Sequence, residues 1–489
     1  REAVSSDRLN IDAARDDLKF LAGEQWDDTV KASRLAKGRP CMTINRLPQF
    51  VGQVIGDLRL NKPAIKVLPA EDGDKDIAEV REGLIKAIER DSDASGVYVQ
   101  AGEDQAACGI GNFRVNLEWV DDDVFAQDIR IRSISNPLGV IWDPMSIERT
   151  GADARYCFVV DEVPRKAFEK RYSDVPLADT SQAYVAQGWV NRDVVKVIEY
   201  WIIKETPRKI ALLTNGEIHD VTDGTDGFDI AQTADGQPRI RDVMRKSACM
   251  YLLGAHKVLQ DAYELPINRL PIIKVTGREV RVGENRVRFG LVRFAKDAQR
   301  LLNYWRSISA ELLALAPRTQ WLAQASSVEG WEDDFRNAHK SGDPLLLYDG
   351  PNKPERQDPP PFPTAVLQEA QLNAQDMKDV TGLHDASLGV QSNETSGRAI
   401  MARQREGDVA TFMYHDNLHA SIRAAGTVVN QLIPVTYDNV RTVRVIGEDD
   451  TATLKRINDP ADPKSIDLAK GKYDVVVSTG PSFTTRRAE

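Results

Sequence analysis

Leu291-Val292-Arg293-Phe294-Ala295-Lys296-Asp297-Ala298-Gln299-Arg300-Leu301-Leu302-Asn303-Tyr304-Trp305-Arg306-Ser307-Ile308-Ser309-Ala310-Glu311-Leu312-Leu313-Ala314-Leu315 reads as one long helix, stopped by Pro317. Leu291, Phe294, Ala298, Leu301, Trp305, Ile308, Leu312 and Leu315 recur at alternating steps of three and four, the seam of a helix that packs lengthwise on a neighbour. From Gly290 to Ala316 it would extend about 40 Å at 1.5 Å per residue. A second helix is expected from Pro363 to Thr381, with Val366, Leu367, Ala370, Ala374, Met377 and Val380 on one side and Gly382 placed to end it. Between the two lie Trp321, Trp331, Phe335 and the run Leu345-Leu346-Leu347-Tyr348, interspersed with prolines. Two helices that leave and re-enter a body around a stiff cap describe a stalk carrying a small docking module. A helical hairpin with a long loop is the plainer alternative.

The 489 residues, 42% hydrophobic and 28% charged, have the composition of a soluble globular chain of several domains. A net charge of -10 argues against gripping nucleic acid through a broad basic surface, because such binders neutralise many phosphates. It does not argue against letting nucleic acid slide past. Along the first stalk helix the local balance is reversed: Arg288, Arg293, Lys296, Arg300, Arg306 and Arg318 face only Asp297 and Glu311. That is a basic stripe, although a solvated helix face has the same look. Cys41, Cys108, Cys157 and Cys249 are far apart and form no CxxC pair, as expected of free thiols in a reducing compartment. No run approaches the roughly 20 apolar residues of a membrane helix, so a chain with no membrane partner is expected, made and used in a cytoplasm or leaving it by a route other than secretion.

Taken in order, residues 9 to 60 read as helical, broken at Lys37-Gly38-Arg39-Pro40, and Ile65-Lys66-Val67 as a strand. Ile77, Val80, Leu84 and Ile88 restore helical spacing. Val115, Leu117 and Trp119, then Ile129 and Ile131, alternate with polar residues and predict paired strands turning at Asp121-Asp122-Asp123. Further strands are expected at Val194 to Ile203, Ile210 to Leu213 and Ile272 to Val275, making residues 1 to 288 one α+β body with a polar insertion at 220 to 236. After the second stalk helix, residues 383 to 395 read as a loop. Ser396 to Ile433 then form a very long helix ended by Pro434 and able to bend at Gly407 and Gly426. Val443, Val445 and Tyr473 to Val477 return to strand spacing.

Candidate chemistry is sparse. His415 and His419 lie four apart on a helix, a spacing that can share a zinc ion, with Asp416 where zinc proteases keep their base. A third ligand would have to be a carboxylate such as Glu448, and a histidine pair at a helix interface is the simpler reading. Asp220, Asp223, Asp226 and Asp229 lack EF-hand spacing and read as a solvated hairpin tip. Gly109-Ile110-Gly111 precedes a strand and reads as a close-packed turn. With no Walker A sequence and no discernible triad, no catalytic residue, metal or cofactor is assigned.

The ordered set of segments resembles the portal proteins of tailed bacteriophages, in the branch found in short-tailed phages. The matching stretches are Phe20 to Trp26 with Arg39 to Pro48; Asn136-Pro137 with Trp142-Asp143-Pro144; Gly290 to Asn303; Phe412 to Leu418 with its Asp416-Asn417-Leu418; and Tyr473 to Phe483. The resemblance implies an α+β portal fold that forms a ring similar to the family's dodecamer, at one vertex of a capsid in the virion, assembled in the host cytoplasm. Residues 1–288 and 397–489 would be the wing, 289–316 and 363–382 a two-helix stem, 317–362 a small α/β clip and 383–396 a tunnel loop, with the crown expected beyond residue 489. It further implies a non-enzymatic channel for double-stranded DNA. Its partners would be the terminase large subunit, head-tail adaptor and tail proteins, the major capsid protein and scaffolding proteins. In the tunnel loop Gln391, Ser392, Asn393, Thr395 and Arg398 are suited to sequence-blind contact with phosphates while Glu394 repels them. Arg293, Lys296, Arg300 and Arg306 would line the stem, and Trp321, Trp331, Phe335 and Tyr348 the clip interface. The rival readings are a zinc metalloprotease at His415/His419 and a self-assembling scaffold without a nucleic-acid role.

Overall fold

A computed structural model describes residues 2–60, 63–70, 74–173, 189, 193–214, 218–225, 227–233, 235–255, 257–283, 285–315, 320–338, 345–357, 364–383, 397–447, 451–459, 461–462, 465–468 and 470–479. Its helices are α1 (Glu2–Leu21), α2 (Asp28–Ala36), α3 (Leu47–Leu60), α4 (Lys75–Asp91), α5 (Ala94–Cys108), α6 (Arg165–Arg171), α7 (Leu291–Leu315), α8 (Glu332–Asn337), α9 (Thr364–Thr381) and α10 (Gly397–Thr436). Helix and sheet are mixed throughout, as an α+β chain requires. The chain divides into two compact units: residues 1–22, 47–293 and 382–489 in one, residues 23–46 and 294–381 in the other. Residues 23–46 thus group with residues 294–381 and not with the remainder of the N-terminal body. Sequence pattern could not show this, because the grouping rests on partners some 260 residues away.

In the first unit, strand Ile110–Trp119 is the centre of a three-stranded antiparallel sheet, flanked by Ile272–Thr276 and Gln127–Ser133. The expected pairing across the Asp121-Asp122-Asp123 turn is present, with Glu118 opposite Asp128. Phe113, Val115, Ile129, Ile131, Ile273 and Val275 are buried, and α5 and α10 cover the sheet with Leu418, Ile422, Val429 and Ile433 in the same core. A larger antiparallel sheet carries Val140–Trp142, Tyr156–Pro164, Val194–Leu212, Ile240–Leu253 and Val258–Leu265 in that order. Three glycines let the end of α5, the end of Ile272–Thr276 and the start of α7 converge. Gly109 ends α5 with φ +88°. A Cβ on Gly277 would lie 2.7 Å from the Gly109 Cα, and one on Gly290 2.4 Å from the carbonyl oxygens of Ala106 and Ala107. Close packing at Gly109-Ile110-Gly111 is therefore present.

Pro434 does not end α10; the helix runs on to Thr436. A proline cannot donate to the carbonyl four residues back, which leaves Asn430 O without its helical partner. Arg81 of α4 supplies one. Its guanidinium donates to Asn430 O at 3.5 Å and to Asn430 Oδ1 at 2.7 Å, donates to Leu468 O, and stacks 4.4 Å from the Tyr473 ring centroid. Gly426 likewise serves close approach: a Cβ there would meet Val475 Cγ1 at 2.9 Å. Charge-assisted hydrogen bonds in a buried site are each worth about 1.5–3 kcal/mol. Arg81→Ala is therefore expected to lower the unfolding free energy by about 3 kcal/mol or more, with Arg81→Lys recovering less than half, as read from denaturant titrations.

Candidate functional site

α7 meets the extended segment 39–46 through a ladder of side chains. Gln299, Asn303, Ser307 and Glu311 recur every four residues on one face of α7. The Arg46 N–H donates to Gln299 Oε1 (3.2 Å), the Ile44 N–H to Asn303 Oδ1 (2.9 Å) and the Met42 N–H to Ser307 Oγ (2.9 Å). Gln299 Nε2 donates in return to Ile44 O at 2.7 Å, and Asn303 Nδ2 to Gln25 Oε1 at 2.6 Å. The two repeats are commensurate: four helical residues rise about 6.0 Å and two extended residues about 6.6 Å. A helix face thereby stands in for a neighbouring strand. The fourth position is met differently, because Pro40 has no N–H. There Glu311 takes ion pairs from Arg34 and Arg39, both at 3.1 Å, while Arg34 also donates to Pro40 O. Gln299 and Ser307 are fully buried, and Asn303 nearly so.

The apolar seam read from sequence is open in a single copy. Phe294 and Leu301 are 51% and 47% exposed, whereas Ala298, Trp305, Ile308 and Leu312 are half-buried. On α9, Val366, Ala370 and Met377 are buried as expected, but Val380 is half exposed and Asn373 and Thr381 occupy the inner face. The basic stripe is not continuous either. Arg293 grips the fully buried Asp17 at 2.7 Å, Lys296 is buried, Arg300 lies 3.4 Å from Asp297, and Arg306 is exposed. Only Arg300 and Arg306 of the four present a cation to solvent. Between α7 and α9, Gln320–Leu322 pairs with Glu355–Gln357, and Trp321 packs edge-on against Phe335 with ring centroids 5.4 Å apart. Trp321, Trp331 and Phe335 are half-buried, while Tyr348 is 43% exposed. Gln391, Ser392, Asn393, Glu394 and Thr395 lie outside the described residues, as does the side chain of Arg398.

The Asp416-Asn417-Leu418 stretch has a structural account. Asp416 forms an ion pair with Arg149, and Asn417 Nδ2 donates to Thr276 O at 2.8 Å and Gly277 O at 3.2 Å. Leu418 enters the core. Asp416 is thus engaged by a guanidinium, unlike a protease's base. Burial, reinforced by His419, pushes the His415 imidazole down to about 4, and burial lowers His419 also. Among the described residues no group of three His, Cys, Asp or Glu could hold a metal ion, and Glu448 lies outside them. Of the acidic insertion, Asp220 is taken by Arg208 and Thr222, and Asp229 by Thr214.

A family model, phage P22-like portal protein, matches residues 1–489. The chain belongs to that family. It is also 25% identical to a portal protein of Acyrthosiphon pisum secondary endosymbiont phage 1, across 96% of this chain and 70% of that protein. Portal proteins are structural components of the phage head-tail connection, acting in DNA packaging, and not enzymes. In this portal-family chain, two of the stretches that carry the resemblance, Arg39 to Pro48 and Gly290 to Asn303, contribute to the two sides of the ladder. Sequence reading followed the apolar repeat of α7 and passed over the polar one beside it. The signal was available as Gln299, Asn303, Ser307 and Glu311 at constant steps of four.

Removing the middle rung should expose the backbone it serves. Asn303→Ala is expected to lose amide exchange protection at Met42, Ile44 and Arg46 by about tenfold or more, with little change in the first unit. Unchanged exchange at those amides would count against the ladder. The histidines give a second expectation. A folded-state value near 4 means the unfolded chain binds more protons between that value and the ordinary 6.5, so this contribution to stability is present above 6.5 and lost as pH falls towards 4. Glu89 and Asp104, raised by burial to about 7, act in the opposite direction. The difference in urea midpoint between the protein and His415→Gln should therefore shift against the wild type between pH 7 and pH 4.5.

Proposed function

We propose that this chain is the subunit of a dodecameric ring at one vertex of the phage capsid, through whose channel genomic double-stranded DNA is packaged and ejected. Residues 1–288 and 397–489 would form the wing, α7 and α9 the stem, 317–362 the clip and 383–396 the tunnel loop. The observation that carries the assembly is the orientation of α7. Its polar Gln299-Asn303-Ser307 face is taken up by its own chain, while Phe294 and Leu301 on the apolar seam stand exposed. Surface helices normally bury the apolar face and expose the polar one. A heterologous contact repeated around a closed ring would cover that seam in every subunit at once.

The exposed cations Arg300 and Arg306, with Arg398 at the start of α10, supply scattered charge on a chain of net charge -10. Such a surface would attract phosphates briefly without the many simultaneous contacts that stall movement. The clip, with Trp321 and Phe335 paired and Tyr348 exposed, would dock the terminase large subunit and later the head-tail adaptor and tail proteins. Capsid and scaffolding proteins would surround the wing, in the virion and, during assembly, in the host cytoplasm. No observation favours a zinc metalloprotease or a scaffold without a nucleic-acid role.

Native mass measurement and particle images viewed down the axis test the reading. The expected result is a dodecamer with a channel wide enough for duplex DNA. Leu301→Asp should shift the population to monomer without changing its melting temperature. A wild-type chain that remains monomeric at every concentration overturns the ring.

A further inference from the structure

A pocket of about 340 Å³ opens in the first unit between α1, the loop after Trp142 and the hairpin Arg278–Val282/Asn285–Phe289. At its base sits Lys274, only 3% exposed, with its ammonium 5.7 Å from the Trp142 ring centroid. Among the described residues that ammonium makes no hydrogen bond or ion pair. Burial lowers it to about 8, against the attraction of Glu279, so it is still charged at neutral pH. Around it, Arg281 stands directly opposite Arg286 on the antiparallel pair, an arrangement of like charges that is unfavourable without an anion between them. Arg288 is matched by Asp7, and Asp143 is occupied by the Met145 and Arg155 amides. On the rim, Met145 and Ile147 are 81% and 74% exposed, beside the exposed Glu279, Arg281 and Asn285. A buried, unmatched cation beneath exposed methyl and thioether groups has the chemistry to receive a carboxylate carried on an apolar knob.

The same unit carries such a knob. At the tip of the Ile110–Trp119/Gln127–Ser133 hairpin, Trp119, Val120, Val124 and Phe125 are 59%, 50%, 46% and 97% exposed around Asp121-Asp122-Asp123. The turn is ordered, with Val120 N–H donating to Ala126 O at 3.0 Å and Asp122 N–H to Asp121 Oδ1 at 2.8 Å. It cannot fill its own pocket. Lys274 pairs with Asn112 in the sheet, and the strand from Asn112 to Trp119 carries the tip about 23 Å away at 3.3 Å per residue. We propose that the acidic aromatic tip 119–125 of one copy inserts into the Lys274 pocket of the next, a head-to-tail contact that propagates around the ring. This rests on the ring reading above. A knob at the tip of one hairpin and a hole beside the neighbouring strand of the same sheet are the separate places that a heterologous, closing interface requires, and the paired charges would fix its register.

The test uses the full chain with Phe125→Cys and Met145→Cys combined, oxidised mildly, beside each single variant. Inter-copy disulfides in the double variant, absent from both singles, are the expected result. In parallel, Asp122→Lys with Asp123→Lys should raise the concentration needed for assembly by about tenfold or more. Mixing that variant with Arg281→Glu copies should restore it. Rings that form without cross-linking, and that tolerate the reversed tip unchanged, overturn this contact while leaving the ring intact. Absence of rings from the wild type overturns the ring reading and this contact with it.

Discussion

Backbone amides of an extended segment must find acceptors, and among the described residues no strand pairs with residues 39–46. The acceptors are side chains of α7 at steps of four, and from that match follow the placement of α7, the association of residues 23–46 with it and the direction its other face looks. A segment satisfied by a sheet edge would leave the helix free to turn its apolar seam inward. Satisfied by the helix itself, it holds the polar face in place, and the seam with Phe294 and Leu301 is what remains outside. Burying Gln299, Asn303 and Ser307 is tolerable only because each has a partner; loss of any rung would leave a buried polar group at a cost of about 1–3 kcal/mol.

The first unit relies on a different device. α10 packs on Ile65 and Val475 closely enough that a Cβ on Gly426 would displace their side chains, and its proline-broken hydrogen bond is replaced by Arg81 reaching from α4. One guanidinium thereby joins α4, α10, the Leu468 carbonyl and the Tyr473 ring. The glycines at 109, 277 and 290 play the corresponding part where α5, strand Ile272–Thr276 and the start of α7 converge, and backbone meets backbone with no room for a Cβ.

Much of the architecture was legible. The limits of α7 and α9, the paired strands around Asp121-Asp122-Asp123 and the helix at Ile77 to Ile88 follow from apolar period alone, which is a local property. Unreadable features were those set by distant partners. Arg293 and Lys296 looked like part of a basic stripe because their own neighbourhood holds few acids, yet Asp17 claims Arg293 across 276 residues of sequence. Pro434 looked like a stop because Arg81 could not be foreseen. The portal family was legible only from segments taken together, since Asp416-Asn417-Leu418 has no chemistry of its own until Arg149 and the carbonyls of Thr276 and Gly277 stand around it.

The ladder between α7 and residues 39–46 is a vernier. Its two scales differ by about 0.6 Å per step, so after three steps the mismatch reaches about 1.8 Å, more than a hydrogen bond tolerates. The third step reaches the fourth position, Pro40, which offers no donor, and Glu311, which is reached instead by two long, adaptable arginines. Length is therefore self-limiting. The helix can grow beyond Glu311 without dragging the strand-like segment with it, and insertions there would lengthen α7 while leaving the three rungs unaltered.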